Sequence, residues 1–426
     1  MLSLYRLLFL PVLLVLAPGY LLRMRRRGGY GSQFGQRFGG HLQLPAKRPG
    51  VKRVWLQAVS VGEMLAIGPL LEGLRADGAE VYLTTTTSTG FRLAADRYAP
   101  LTLGIGYFPL DWWAFSARAW RRIQPDLIVL TEGERWPEHL HQAAGRGVPV
   151  LSINARLSDR SFHRLRRFPA AARLMTSGVT RVLPCSVQDE RRFLELGVPA
   201  AKIFTTGNIK LDVRIPPLAE AARARLRREL GLADGIVLLG SSTWPGEEAA
   251  LLEAWQAARA AGVAVRLLIV PRHAERRGEI ERLLRAASVR FHFRSTGAAA
   301  GDVDVAVGDT TGELRNLTQL ADLVFVGKSL APHTEGQTPV EAAVLARPIL
   351  YGPGMGNFRL LARDLVARGA AREVADAAAL KAAVVTLLQD PAARAVLAEA
   401  AGKWQRDNTG ALARTLAIIR EELAKN

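Results

Sequence analysis

The chain has 426 residues, 49% of them hydrophobic, more than one core ordinarily supports and ample for two. Its 57 basic residues (49 Arg and 8 Lys) outnumber 39 acidic ones, and the net charge of +18 sets the surface against an anionic partner such as nucleic acid, membrane or a phosphorylated substrate. A single cysteine, Cys185, excludes an internal disulfide and the usual zinc modules, and fits a reducing compartment; the arginines are scattered instead of interleaved with stacking aromatics, which argues against nucleic acid.

The first predicted element is an apolar run from Leu2 to Leu22, broken by Arg6, Pro11 and Pro18 and followed by Arg23, Arg25, Arg26 and Arg27. About 20 apolar residues can span a bilayer, and arginines after the run favour the cytoplasmic side. A signal peptide carries its charges before the apolar core, so the pattern reads as a retained anchor, spanning or interfacial. Residues 27 to 50, rich in Gly, Gln and Arg, read as a polar stretch beside anionic lipid heads.

Beyond this, strands and helices alternate. Strands are expected at Val51–Ala58, Glu80–Thr84, Leu127–Thr131, Val148–Asn154 and Arg181–Cys185, with helices at Glu63–Asp77 and Ser88–Arg97. A second series follows the charged stretch Asp212–Asp234, with strands at Ile236–Gly240, Ala264–Val270, Val289–Phe293, Val303–Val307, Leu323–Val326 and Pro348–Tyr351. Helical periodicity fills the chain from Pro391 to the end. Such alternation predicts two doubly wound, mostly parallel α/β domains.

The polar loops after these strands carry the candidate chemistry, because open α/β sheets bind ligands outside the carboxyl ends of their strands. In VSVGE, Ser60 and Gly62 precede Glu63, which reads either as a helix-capping acid or as a base that removes a proton from a hydroxyl acceptor. TTTTSTG, with Thr86 and Ser88, offers hydroxyls and helix-start amides to an oxyanion, or simply caps the helix. Glu132 and Glu134 leave the strand LIVLT together, and burial or mutual repulsion would raise one pKa unless Arg135 or Arg156 pairs with them. Trp120 and Trp136 are expected to be mostly buried. In the second series, Ser241 and Ser242 sit at one helix start, Arg272 and His273 follow the strand RLLIV, and GDTTGEL presents Gly308, Asp309, Thr310, Gly312 and Glu313. VFVGKSLAPHTEGQTPVEAA supplies Lys328, Gly336, Gln337, Thr338 and Glu341, the last placed to take a ribose diol; Asn357 follows in the next glycine-rich loop. There is no GxxxxGK[ST] phosphate loop, no ligand spacing among the seven histidines, and no metal site or cofactor is expected.

Taken in order, VSVGE, TTTTSTG, DWW, EGERWPE, NARLSDRS, SVQDERRFLELGV, TGNIKLD, VPRHAERR, GDTTGEL and GQTPVEAA resemble the 3-deoxy-D-manno-octulosonic acid (Kdo) transferases of lipopolysaccharide synthesis, membrane-anchored glycosyltransferases of the two-domain GT-B fold. The resemblance implies an anchor and basic flank over residues 1–27, an acceptor-binding domain over 28–208, a linker over 209–233, a nucleotide-sugar domain over 234–400 facing the first across a central cleft, and helices over 401–426 that return to the first domain. It implies inverting transfer of Kdo from CMP-Kdo to a lipid A precursor at the inner membrane, beside anionic lipids, with the catalytic domains in the cytoplasm. Glu63 resembles the general base. Glu132, Glu134 and Arg156 match acceptor-side positions; Arg272, His273 and residues 308–314 match phosphate- and nucleotide-holding loops; Glu341 matches the ribose carboxylate, and Asn357 closes that crevice. The rival readings are a transferase with another donor or lipid acceptor, and a noncatalytic membrane scaffold. One stretch departs from the family pattern: Glu335 stands where Gly is usual, Thr338 where Asn is usual, and His333 is displaced by one position. A carboxylate beside an anionic donor is unfavourable unless it points away or meets Arg272 or Lys328.

Overall fold

A computed structural model of the chain describes residues 1–26, 29, 31–42, 44–232 and 234–425. Arg27 of the basic flank, and the bounds expected at 27, 28 and 233, lie outside the described residues. The chain divides into two compact units, Met1–Asp212 with Asn408–Asn426, and Val213–Asp407.

In the first unit six parallel strands, β1 (Arg53–Gln57), β2 (Glu80–Thr85), β3 (Gly104–Tyr107), β4 (Leu127–Thr131), β5 (Val150–Ala155) and β6 (Arg181–Pro184), order as β3-β2-β1-β4-β5-β6. Every residue of β1, β2, β4 and β5 is buried, as in a parallel sheet covered on both faces. The chain winds outward from β1 in one direction and from β4 in the other. The crevice between their carboxyl ends is therefore the switch point at which doubly wound sheets take ligands. β3 is not among the expected strands: its GIGY is glycine-rich and lies at the sheet edge, and Gly106 is needed because a Cβ there would stand 2.0 Å from the Tyr82 hydroxyl. The helix expected over Glu63–Asp77 is two helices, Val61–Ala66 and Gly68–Ala76, divided where Pro69 enters at the start of the second.

The second unit holds seven parallel strands, β7 (Ile236–Thr243), β8 (Val265–Pro271), β9 (Phe291–Phe293), β10 (Val305–Val307), β11 (Leu323–Val326), β12 (Ile349–Tyr351) and β13 (Ala371–Glu373), ordered β13-β12-β11-β7-β8-β10-β9. Its switch point lies between β7 and β11. The edge strand β13 is a further element that the sequence reading lacks. The stretch expected to be a linker contains a helix, Glu220–Glu229, within this unit.

Helix Pro391–Asn408 runs to the boundary, and the final helix, Ala411–Ala424, belongs to the first unit. Leu416, Ile419 and Leu423 join the core of β1, β2 and their covering helices, Arg414 donates to the Thr206 carbonyl, and Arg420 forks onto Asp77.

The amino-terminal helix, Leu2–Arg26, is long and apolar enough to cross a bilayer. One stripe of it meets the first unit. The Tyr5 hydroxyl donates to Asp111 (2.7 Å), Arg6 forks onto the fully buried Glu138 (2.7 and 2.9 Å), the Tyr20 hydroxyl reaches the Thr86 carbonyl (3.3 Å), and Met24 packs on Tyr107. The rest of its surface, including Leu7, Leu14, Val15 and Leu16, is exposed and apolar. The stretch expected to lie against lipid as a polar spacer is instead folded in part: Gly31–Phe38 forms a 3-10 helix whose Gln36 and Arg37 are buried, Gln36 accepting from the Tyr107 amide.

Candidate active site

In the first unit the switch point is built by the turn after β1 and the turn after β4. Ser60 caps the short helix Val61–Ala66, accepting from the Glu63 amide, while the Glu63 carboxylate reaches back to the amides of Val59 (3.1 Å) and Ser60 (3.3 Å) and to the Ser60 hydroxyl (2.8 Å). The capping role read from the sequence is therefore real. A fourth donor comes from across the crevice: the Thr131 hydroxyl, at the end of β4, lies 2.5 Å from the other Glu63 oxygen. Glu63 is 7% exposed, at the carboxyl edge of the sheet.

Glu132 follows with a left-handed backbone (φ 48°), and its carboxylate pairs with Lys210. Lys210 also borders the Glu63 turn, since a Cβ on Gly62 would stand 3.9 Å from its ammonium nitrogen. Glu134 accepts from the Gln57 amide (3.3 Å) and the Trp136 indole (3.0 Å); burial raises its pKa above the usual carboxylate range, and the Glu63 charge adds to the rise. Trp120 is buried as expected, but Trp136 is 37% exposed, held on the surface by that bond. Arg156, at the end of β5, is exposed and pairs with neither Glu132 nor Glu134 by any hydrogen bond or ion pair among the described residues.

The threonine loop turns inward. Thr85 and Thr87 donate to the Val59 carbonyl (3.3 and 2.9 Å), and Thr87 caps the helix at Gly90, so these hydroxyls brace the Glu63 turn. Thr86 lends its carbonyl to Tyr20, and Ser88 is buried in the helix.

In the second unit the switch point is held by Glu247, which the sequence reading leaves out. Its carboxylate accepts the amides of Trp244 (2.9 Å), Lys328 (2.8 Å), Ser329 (2.8 Å) and Leu330 (3.1 Å), tying the turn after β7 to the loop after β11. Burial raises its pKa in spite of these four donors. Around that staple lie the Trp244 ring, His273 edge-on to it at 5.2 Å, His333 at 5.8 Å, and the Lys328 ammonium 4.1 Å from the ring centre. The Arg272 side chain is exposed after β8, and its amide bonds the Thr243 carbonyl. Ser241 and Ser242 lie not at a helix start, as expected, but at the end of β7, before the helix that begins at Glu247; Ser241 is buried and Ser242 takes a positive φ (55°) where the strand's register shifts.

The GDTTGEL loop is partly claimed by its neighbours. Asp309 is engaged by the Ser295 amide (2.8 Å), the Ser295 hydroxyl (2.6 Å) and Arg277 (3.4 Å), and the Thr310 hydroxyl donates to Glu313, which also takes Arg294. Asp309, Thr310 and Glu313 thus shape the loop, whose turn needs Gly312 (φ 88°), while Gly308 is packed against Leu317 and Val270. Glu341 stands in the short helix Val340–Val344 behind Thr338, whose hydroxyl accepts the Val340 amide. One Glu341 carboxylate oxygen is buried without a partner among the described residues, and burial raises its pKa. The loop folds back on itself. The Gly336 amide meets the Lys328 carbonyl (2.8 Å), Gln337 meets Gly327 (3.0 Å), and Asn357 donates its amide to the Glu335 carbonyl (2.8 Å). Among the described residues no group of three His, Cys, Asp or Glu side chains is placed to hold a metal.

Sequence comparison decides the family. The chain is 34% identical over 412 residues to a 3-deoxy-D-manno-octulosonic acid transferase of Bordetella pertussis, covering 94% of each protein. The chain belongs to the Kdo transferase family. A second relative of the same description, from Haemophilus influenzae, is 32% identical, with 98% of this chain and 95% of that protein aligned. The model of the 3-deoxy-D-manno-octulosonic-acid transferase (kdotransferase) domain matches residues 32–213. Among solved structures, a UDP-GlcNAc 2-epimerase from Neisseria meningitidis aligns with 88% of this chain and all of its own at a TM-score of 0.56 and 15% identity, a likeness of fold alone. The fold is thus the pair of Rossmann-like domains of the GT-B class, and the family is one of glycosyltransferases.

Proposed function

We propose that this protein transfers Kdo from CMP-Kdo to a hydroxyl of a lipid A precursor, with inversion at the anomeric carbon. The observation that carries the reading is Glu63, a carboxylate fixed at the switch point of the first sheet by its own turn and by Thr131 in a chain that aligns over 94% or more of its length with Kdo transferases. Glu63 takes the acceptor proton, the freed oxygen attacks the anomeric carbon, and the bond to the CMP phosphate breaks with its electron pair leaving on CMP. Lys210 with Glu132, and Arg156, serve the phosphorylated acceptor. Arg272, His273 and the turns after β7 and β10 hold the donor phosphate and nucleotide; Glu341, with its unpartnered oxygen, takes the ribose diol. Positive groups against the departing phosphate lower the barrier.

The helix Leu2–Arg26 anchors the enzyme to the inner membrane, its apolar outer face in lipid and the two units in the cytoplasm. The test is purified full-length enzyme with CMP-Kdo and a tetra-acylated lipid A precursor, products weighed by mass spectrometry. One or more Kdo mass increments on the lipid support the proposal. Transfer only from other nucleotide sugars, or none at all, defeats it.

A further inference from the structure

Lys328 and Glu335 form an ion pair (3.3 Å) on the loop that follows β11, beside the switch point of the second sheet. The backbone of the folded loop sets the two residues side by side. Lys328 takes a positive φ (58°), gives its amide to Glu247, and receives the Gly336 amide on its carbonyl, which brings residue 335 back alongside residue 328. The two ends of the pair differ in setting. The Lys328 side chain is 19% exposed and its ammonium lies against the face of Trp244, whereas Glu335 is 47% exposed. An ammonium drawn out of bulk water and held over an indole attracts an anion more strongly than a solvated one, and its preferred direction is already set. A half-exposed carboxylate loses little on returning to water.

Resting on the transferase reading, we propose that Lys328 is the cation that receives an anionic oxygen of the donor, and that Glu335 is its built-in competitor. Donor affinity in this chain is then set by an exchange of counter-ions on one ammonium. The donor has two sources of such an oxygen, the sugar carboxylate and the phosphate. In either case binding requires Glu335 to swing into solvent, a movement that leaves the backbone bonds of Gly336 and Asn357 intact. The Thr334 amide and Lys328 hold the Glu335 carboxyl below its ordinary pKa, so the competitor is charged at neutral pH.

The experiment uses the full-length enzyme in detergent, with initial rates from CMP-Kdo and calorimetric binding of CMP, for the wild type, Glu335→Gln, Lys328→Gln and the double variant. Glu335→Gln is expected to lower the donor KM about two- to fivefold, the range for releasing an exposed ion pair, with the change in KM and not kcat. Lys328→Gln raises that KM about tenfold or more, as loss of a charge-assisted contact does, and in the double variant the gain from Glu335→Gln disappears. A gain seen with CMP-Kdo and not CMP assigns the sugar carboxylate; an equal gain with both assigns the phosphate. An unchanged KM in Glu335→Gln, or a gain that survives Lys328→Gln, overturns the proposal. A wild type that transfers nothing from CMP-Kdo defeats the donor assignment itself, a separate result.

Discussion

Glu63 and Glu247 hold equivalent places in their two sheets. Each lies in the helix that follows the first strand, and each reaches a group at or just beyond the end of the strand across the switch point. Their partners differ. All four donors to Glu247 are backbone amides, which can only donate. A proton on Glu247 would therefore point at an N–H or displace one, so the group is a permanent staple between two loops. On Glu63 each carboxylate oxygen has one amide and one hydroxyl, from Ser60 and Thr131. A hydroxyl can turn from donor to acceptor, so the site accommodates the protonated acid as well as the carboxylate. The same position in the same fold is thus rigid in one unit and chemically reversible in the other.

Replacing Glu63 by Gln should cut Kdo transfer by about 10²- to 10⁴-fold, the span for loss of a general base, with a stability loss on the order of 1 kcal/mol, because Gln still completes a capping box but turns its NH2 toward one backbone amide. Turnover that stays at the wild-type level would erase the distinction between the two carboxylates. The converse change, Glu247→Ala, strips four buried amides of their acceptor. It should cost on the order of 3 kcal/mol in denaturant unfolding, with a raised donor KM. Stability within experimental error of the wild type would show that Glu247 is no staple. A smaller effect is expected from Lys210→Met, which leaves Glu132 without its cation beside the Gly62 turn: about a tenfold loss in kcat/KM for the phosphorylated acceptor, partly restored by Lys210→Arg. If the loss fell on the donor KM instead, Lys210 would be misassigned. Smallest is Thr131→Val, expected to lower kcat about fivefold by loosening one carboxylate oxygen while donor and acceptor KM hold. A change in KM alone would place Thr131 in binding.

The sheets were legible because their strands are buried on both faces and read as unbroken apolar runs, as in Leu127–Thr131 and Leu323–Val326. The edge strands β3 and β13 were not, being short, glycine-rich or polar, and dependent on a neighbour for their pairing. Glu63 stood out through its turn, but Thr131 and Lys210 lie 68 and 78 residues from their carboxylates, and no local pattern joins such pairs. Lys210 did leave a faint trace: in a chain with 49 Arg and 8 Lys, any lysine is itself unusual. Asp309 shows the same limit from the other side: its glycine turn is visible in the sequence, but the bonds that Ser295, 14 residues away, gives its carboxylate are not.

The return of the last helix to the first unit makes the second unit an insertion, entered after Asp212 and left before Asn408. A stop codon in the middle of the gene would therefore not liberate a sound amino-terminal half. It would strip Leu416, Ile419 and Leu423 from that half's core and orphan Asp77, while Gly73, kept bare of a side chain where Leu416 lies, would face a trough. The part made first thus completes its core only with residues made last.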